Sequence, residues 1–169
     1  MKLVDPEDIS ESEFNSFVAE FKRAEERPVP YALDQGGKNF QDYIRSLNDA
    51  SRGKGLPDTW PPASTFFLVG ANGKIYGAVN IRHRLTDGLR IEGGHIGYGV
   101  RPSVRSSGYG TRILEFALEK ARELGISKAL LTCNKANTHS ARIIQKNGGR
   151  LDFGGVIDGH VVQRYWMER

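Results

Sequence analysis

One segment near the middle of the chain constrains the fold more than any other. Residues 94–100 are typical of a strand, and the apolar residues of 110–124 recur with the 3.6-residue period of an amphipathic helix. A turn rich in Ser and Gly joins these two elements, and Gly125 is placed to end the helix. A strand that leads through such a turn into a helix indicates an α/β fold.

Further helices and strands are predicted on both sides of this segment. The patterns predict helices over residues 11–26, 40–47 and 137–146, a loop over 53–62, and strands over 65–69, 75–82, 129–133 and within 151–166. Asn72-Gly73 predicts a type I′ turn, and Asp87-Gly88 predicts a turn before the third strand. The order of elements predicts one α/β domain with a mixed sheet over residues 1–169.

Composition excludes several classes of protein. The 169 residues are 38% hydrophobic and 26% charged, which is the balance of a globular protein rather than a disordered or fibrous one. Cys133 is the only cysteine, so no internal disulfide can form, and four His without paired Cys predict no metal site. No leader or membrane-spanning run is evident, so we expect a soluble cytoplasmic protein without membrane partners.

Charge is distributed unevenly along the sequence. Residues 1–26 hold eight acidic and three basic residues, whereas residues 101–150 hold ten basic and three acidic ones. Such a basic segment suits a polyanionic ligand, either a phosphorylated cofactor or a nucleic acid.

The turn before the central helix is a candidate anion site. The first N–H groups of a helix lack intrahelical acceptors, and the helix dipole favours negative charge there. Gly108 and Gly110 would let a pyrophosphate approach the backbone closely, and Arg105 would add positive charge. The spacing matches neither the Rossmann fingerprint nor the Walker A loop.

Residues 100–110 resemble motif A of the GNAT superfamily of N-acetyltransferases, in which an R/Q-x-x-G-x-G/A turn holds acetyl-coenzyme A. Residues 137–148 are similar to motif B, an N-x-x-S/A helix that ends in K-x-G. The resemblance covers about residues 65–167 and implies a mostly antiparallel sheet flanked by helices, with a splayed central strand pair. Residues 1–64 would then supply the N-terminal helices and the acceptor-side loop.

The resemblance also implies which residues bind acetyl-coenzyme A. Val100 would pair its backbone with the pantetheine arm, and Asn137 and Ser140 would contact the pantetheine or phosphate side. The whole implied set is Val100, Arg105, Ser106, Ser107, Gly108, Tyr109, Gly110, Thr111, Asn137 and Ser140. Gly97 and Gly99 independently indicate a bulge or a close approach by another group within the strand.

Amine acetylation needs a base, and two residues are candidates. Glu92 would lie at the start of the strand, with its side chain on the same face as that of Val100. The family that the sequence resembles often has a Glu at the corresponding point of this strand. His95 is the second candidate, because an unperturbed histidine would titrate near neutrality. Ile144 stands where many members carry a general-acid Tyr, so that role is unassigned there, and Tyr98 and Tyr165 are candidates for the acid.

The leading hypothesis is an N-acetyltransferase, a monomer or homodimer, whose acceptor is a primary amine of a small molecule or peptide. A non-catalytic coenzyme A-binding regulator is an alternative, because the usual Tyr is missing at Ile144. A nucleic-acid-binding module is disfavoured because the basic segment lacks interleaved aromatic residues. Residues 82–84 could line an acceptor site for an anionic substrate or form a solvated hairpin end, and Cys133 is expected to be a buried apolar residue.

Overall fold

The computed structural model describes residues 1–168, which form five α-helices, three short 3-10 helices and seven strands. The α-helices are α1 (Glu11–Arg23), α2 (Phe40–Ser51), α3 (Asp87–Ile91), α4 (Tyr109–Glu123) and α5 (Thr138–Lys146). The strands are β1 (Lys2–Val4), β2 (Ala63–Val69), β3 (Ile75–Arg82), β4 (Ile96–Val100), β5 (Lys128–Asn134), β6 (Arg150–Ile157) and β7 (His160–Glu168). Within residues 1–168, none of the helices combines the length and the apolar character that crossing a bilayer requires.

The strands form two antiparallel sheets that meet at one point. The order is β1-β2-β3-β4 in the first sheet and β5-β7-β6 in the second. The two sheets are joined where the backbone N–H of His95 donates to Leu130 O at 2.7 Å, just before β4 begins. Beyond this bond β4 and β5 are not paired, which confirms the predicted fold with its splayed central strands. The sheets are not mixed, however, since every strand pairing within residues 1–168 is antiparallel.

Helices cover both faces of the first sheet. On one face the apolar stripe of α1, Phe14, Phe17 and Phe21, is fully buried together with the apolar side of α2. On the other face α4 buries Ile113 and Leu114 against the sheet. The helices α1, α2 and α4 were all predicted from the period of their apolar residues. That period exists because these residues are buried against the sheet.

A buried ion cluster fixes α1 against the end of β4. The side chain of Arg101 lies 3.0 Å from a carboxylate oxygen of Glu13 and 3.3 Å from one of Glu20, and it donates to Ser16 Oγ at 3.1 Å. Because Arg101 is only 1% exposed, removal of either carboxylate would leave a buried charge partly uncompensated. The cluster therefore ties the N-terminal helices to the turn that precedes α4.

The region before β4 differs from the prediction. Asp87 and Gly88 begin helix α3, which Thr86 caps by accepting from Leu89 N–H at 3.2 Å, so they do not form a hairpin turn. Gly93 and Gly94 then take positive φ values of 107° and 63°, and β4 begins only at Ile96. A five-residue helix is too short to show a period in the sequence.

The hairpin between β2 and β3 is present, but its turn is not type I′. The turn spans residues 70–73, and Gly73 N–H donates to Gly70 O at 3.0 Å. Gly73 has a positive φ of 78°, whereas Ala71 and Asn72 do not have positive φ values. A type I′ turn would need positive φ at both central residues, Ala71 and Asn72. The short strand β1, which pairs with β2, was not predicted.

Gly99 marks a close approach rather than a bulge. The register between β3 and β4 is continuous from Gly77 opposite Val100 to Ile81 opposite Ile96. A Cβ on Gly99 would collide with the carbonyl oxygen of Val29. Gly99 therefore admits the segment after α1 onto β4, whereas a Cβ on Gly97 would make only ordinary contacts, and the bulge that was the alternative is absent.

Candidate active site

The turn that leads into α4 exposes a row of backbone N–H groups. The first N–H there with a backbone acceptor is that of Arg112, which donates to Gly108 O at 3.2 Å. In the described part of the chain, the N–H groups of residues 106–111 meet no acceptor. They lie at the N-terminus of a 15-residue helix, where the dipole favours an anion. This segment, residues 105–111, is called the phosphate turn below.

The two glycines of the phosphate turn serve different purposes. Gly108 has φ 85°, and a Cβ there would meet nothing within 4 Å, so the backbone is open to a ligand. A Cβ on Gly110 would lie 2.5 Å from Ile143 Cδ1 of α5, so this glycine lets the two helices pack closely. Ser106 has φ 64° at a position where the family often has Gly. Helix packing, rather than the expected approach of a phosphate, thus explains Gly110.

The guanidinium of Arg105 in the phosphate turn is already paired with a carboxylate. Its guanidinium donates to both carboxylate oxygens of Glu26, at 2.7 and 2.6 Å. These hydrogen bonds raise the pKa of Arg105 and lower the pKa of Glu26. The expected positive charge is therefore compensated by a residue just after α1.

Tyr98 and Ser140 meet in the gap between β4 and α5. Their hydroxyl oxygens lie 3.2 Å apart, and burial raises the pKa of Tyr98 to about 12. Asn137 caps α5, since its Oδ1 accepts from Ser140 N–H at 3.1 Å. The structure thus brings the predicted Asn137 and Ser140 together beside β4. The direction of Tyr98 was not part of the sequence prediction, although its two-residue spacing from Val100 on the strand indicates that both side chains share one face.

His95 connects the two sheets through its side chain as well as its backbone. Its Nδ1 accepts from Leu130 N–H at 2.9 Å. Burial, reinforced by the nearby charges of Arg90 and Arg82, lowers the pKa of His95 to about 4. A neutral ring that accepts at Nδ1 carries its proton on Nε2, so it has no free lone pair with which to act as a base.

Glu92 lies at the C-terminal end of α3 and not on β4. Its Oε1 is 2.8 Å from Nε2 of His160, at the start of β7, and this hydrogen bond raises the pKa of His160. The positive φ values of Gly93 and Gly94 break the alternation on which the shared face with Val100 was predicted. Glu92 therefore faces the tip of the β6–β7 hairpin.

Two further residues lie in the core beside the gap between β4 and α5. Ile144 is 1% exposed and belongs to the core under α4. Cys133 is buried as expected, and burial raises the pKa of its thiol. Residues 1–168 contain no group of three or more His, Cys, Asp or Glu side chains that could hold a metal ion.

A large cavity lies on the opposite side of β4 from α5. Its volume is about 1090 Å³, and its walls come from the segment between α1 and α2, α2 itself, the loop before β2, the ends of β2 and β3 and the start of α3. Its lining includes Tyr31, Trp60, Thr65, Asn80 and Arg82. Neither Glu92 nor His95 lines it. Because distant segments assemble this cavity, no local pattern in the sequence indicated it.

Solved structures share this fold over nearly the whole chain. The acetyltransferase of GNAT family from Streptococcus pneumoniae has a TM-score of 0.65 at 21% identity, with 99% of this chain and 98% of that one covered. The ribosomal-protein-S5-alanine acetyltransferase from Vibrio fischeri has a TM-score of 0.68 at 14% identity, with 99% and 91% covered. The yncA protein from Salmonella typhimurium, solved with its cofactor acetyl-CoA, has a TM-score of 0.64 at 15% identity, with 99% and 91% covered.

A comparison with curated proteins finds none that matches. The sequence model of the Acetyltransferase (GNAT) family matches residues 24–149, which include the phosphate turn, Tyr98 and the α5 motif. Because this match covers more than half of the chain, the protein belongs to the GNAT family of acetyltransferases.

Proposed function

We propose that the protein transfers the acetyl group of acetyl-coenzyme A to a primary amine of a small molecule or peptide. The observation that carries the proposal is the row of N–H groups at residues 106–111, which have no acceptor in the described chain and lie next to the gap between β4 and β5. Acetyl-coenzyme A supplies the acetyl group as a thioester. Membership of the GNAT family supports this choice of donor.

The two sides of β4 suit the two substrates. On the α5 side, the phosphate turn would bind the pyrophosphate, and Val100, Asn137 and Ser140 would contact the pantetheine arm. On the other side, the cavity of about 1090 Å³ is large enough for a small molecule or the end of a peptide. An amine in the cavity would then approach the acetyl group across β4.

Tyr98 is our candidate for the group that protonates the departing sulfur. A phenol whose pKa is about 12 keeps its proton at neutral pH. Tyr98 would donate this proton to the sulfur as the C–S bond breaks and would regain one from solvent, which receives the proton that the amine loses. Its hydroxyl lies beside Ser140, one helical turn before Ile144, where the family resemblance expects a Tyr. Tyr98 of β4 would thus place its hydroxyl where many family members place the hydroxyl of a Tyr on α5.

Glu92 is retained as the candidate base. The first turn of α3 lines the cavity, and Glu92 follows at the C-terminal end of that helix with its carboxylate half-exposed. Its pairing with His160 would orient the carboxylate. His95, which has no free lone pair, would instead hold the start of β4 in place.

The decisive experiment compares two glycines that differ only in their place on α4. Gly108 (φ 85°) precedes the helix and Gly125 (φ 83°) follows it, and a Cβ would meet nothing within 4 Å at either. Both Val substitutions therefore introduce similar backbone strain. We expect acetyl-coenzyme A at 100 times its dissociation constant to stabilise the wild type and Gly125→Val by about 2.7 kcal/mol, and Gly108→Val far less. Equal stabilisation of both variants would overturn the assignment of the phosphate turn.

A further inference from the structure

Arg82 is a partly buried cation without a carboxylate partner in residues 1–168. It ends β3 and lines the cavity, and its Nη1 donates to the carbonyl oxygens of Gly93 and Gly94, both at 3.1 Å. None of the ion pairs among the described residues includes it. The two carbonyls orient the guanidinium but leave its full charge uncompensated. Burial accordingly lowers the pKa of Arg82.

Arg101, which is fully buried, shows how this chain compensates the charge of an enclosed arginine. Arg101 has carboxylate oxygens of Glu13 and Glu20 at 3.0 and 3.3 Å. Buried charges are normally paired in this way, because an unpaired one loses its hydration without replacement. The difference is that Arg101 lies in the closed core, whereas Arg82 borders a cavity that a ligand can enter.

The guanidinium of Arg82 reaches the middle of β4. A Cβ built on Gly97 would lie 3.6 Å from Nη2 and 3.8 Å from Nη1 of Arg82. Gly97 precedes Tyr98, the candidate acid, on this strand. An anion bound to Arg82 would therefore be held close to the point at which an acceptor must cross β4.

A second polar group lies beside Arg82 on the same face of β3. Asn80 also lines the cavity, and its Nδ2 donates to Thr65 Oγ1 at 3.0 Å. Its Oδ1 accepts no hydrogen bond within residues 1–168 and can receive one from an amine. Two residues along a strand span about 6.6 Å, so the two side chains can hold two groups of one small molecule.

We propose that the acceptor is an amino acid, whose carboxylate binds Arg82 and whose amine lies toward Asn80. This inference rests on the proposed function, since it assigns the acceptor of the same site. Tyr31 and Trp60, whose ring centroids lie 6.1 Å apart at the cavity, provide a wall for the amino acid's side chain. Asp34, Asp87 and Lys38 also line the cavity, and neither carboxylate lies within ion-pair distance of Arg82.

The test compares acceptors that differ only in their carboxylate. The twenty common L-amino acids and their α-carboxamides are assayed for release of the coenzyme A thiol, with spermidine as an acceptor that has no carboxylate. At least one amino acid should exceed its carboxamide in kcat/KM by at least about 30-fold, since loss of one partner of a buried charge pair costs at least about 2 kcal/mol. Arg82→Gln should remove this preference mainly through KM. Arg82→Lys should restore part of it, and Arg122→Gln, on the exposed side of α4, should match the wild type.

Melting temperatures separate failure of this inference from failure of the proposed function. The amino acid that binds should raise the melting temperature of the wild type but not of Arg82→Gln, whether or not thiol is released. Binding that depends on Arg82 without thiol release would overturn the proposed function and keep the assignment of the cavity. Equal turnover of acids and carboxamides, preference for spermidine, or neither turnover nor binding of any amino acid would overturn the inference.

Discussion

Arg105 of the phosphate turn and Glu26, three residues beyond the end of α1, form a two-fold hydrogen-bonded ion pair. A similar relationship links Arg101 to Glu13 and Glu20 of α1. The acidic N-terminal segment therefore folds against the basic segment, and it compensates two of the arginines that suggested a polyanionic ligand. Residues 101–150 therefore offer a nucleic acid less uncompensated positive charge than their count of basic residues suggests.

The first prediction concerns the competition between Glu26 and a phosphate for Arg105. Glu26→Gln should tighten the binding of acetyl-coenzyme A by up to about fivefold, because an exposed ion pair of this kind is worth at most about 1 kcal/mol. Arg105→Gln should weaken binding, and the loss should shrink as salt rises. Titration calorimetry at two ionic strengths measures both effects. Unchanged affinity in both variants would leave Arg105 as an anchor for the segment after α1.

The second prediction is a pH dependence of stability that originates from His95. Its pKa is about 4 in the folded protein and near 6.5 when unfolded, so the unfolded chain binds more protons between these values. The contribution of His95 is complete above pH 6.5 and is lost as pH falls toward 4, by on the order of 3 kcal/mol. Urea unfolding between pH 4 and 8 should show a shallower pH dependence for His95→Gln than for the wild type. Parallel profiles would mean that the pKa of His95 does not change on folding.

The third prediction tests Tyr98 as the proton donor. Tyr98→Phe keeps the ring and removes the hydroxyl, so kcat should fall by about 10²- to 10⁴-fold with little change in affinity for acetyl-coenzyme A. Tyr165→Phe is the control, because it removes a hydroxyl from a fully buried tyrosine that donates to Gln163 Oε1 at 3.1 Å. Wild-type kcat in Tyr98→Phe would remove the hydroxyl from the proposed chemistry.

The phosphate turn could be predicted because its determinants are local. A strand, two glycines and an amphipathic helix follow one another within residues 94–124, and the free N–H groups are a property of any helix start. The structural reason for Gly110 could not be predicted, because it depends on a contact with a distant residue. Gly110 owes its lack of a side chain to Ile143 of α5, 33 residues away.

The position of Glu92 could not be predicted in the same way. Strand parity holds only where the backbone is extended, and the positive φ values of Gly93 and Gly94 end the strand before it reaches Glu92. The cavity and the uncompensated charge of Arg82 depend on which distant segments meet. Single-sequence patterns carry no information about such contacts.

The last prediction tests Glu92 as the general base. Glu92→Gln keeps the size of the side chain and removes its ability to take a proton. With the preferred acceptor, kcat should fall by about 10²- to 10⁴-fold while the affinity for acetyl-coenzyme A stays nearly constant. Raising the pH should recover part of the activity, because more of the amine then arrives unprotonated. Steady-state kinetics between pH 6 and 9, with calorimetry for the cofactor, measure these effects.

The pairing of Glu92 with His160 supplies the control for this experiment. His160→Gln leaves the carboxylate in place but removes the partner whose pKa the Glu92 hydrogen bond raises. A base that His160 only orients should lose much less activity in His160→Gln than in Glu92→Gln. The pKa of His160, followed by NMR, should fall in Glu92→Gln and confirm that the pair exists in solution. If both variants lose the same small amount of activity, Glu92 serves to attach α3 to the β6–β7 hairpin, and the amine loses its proton to another group.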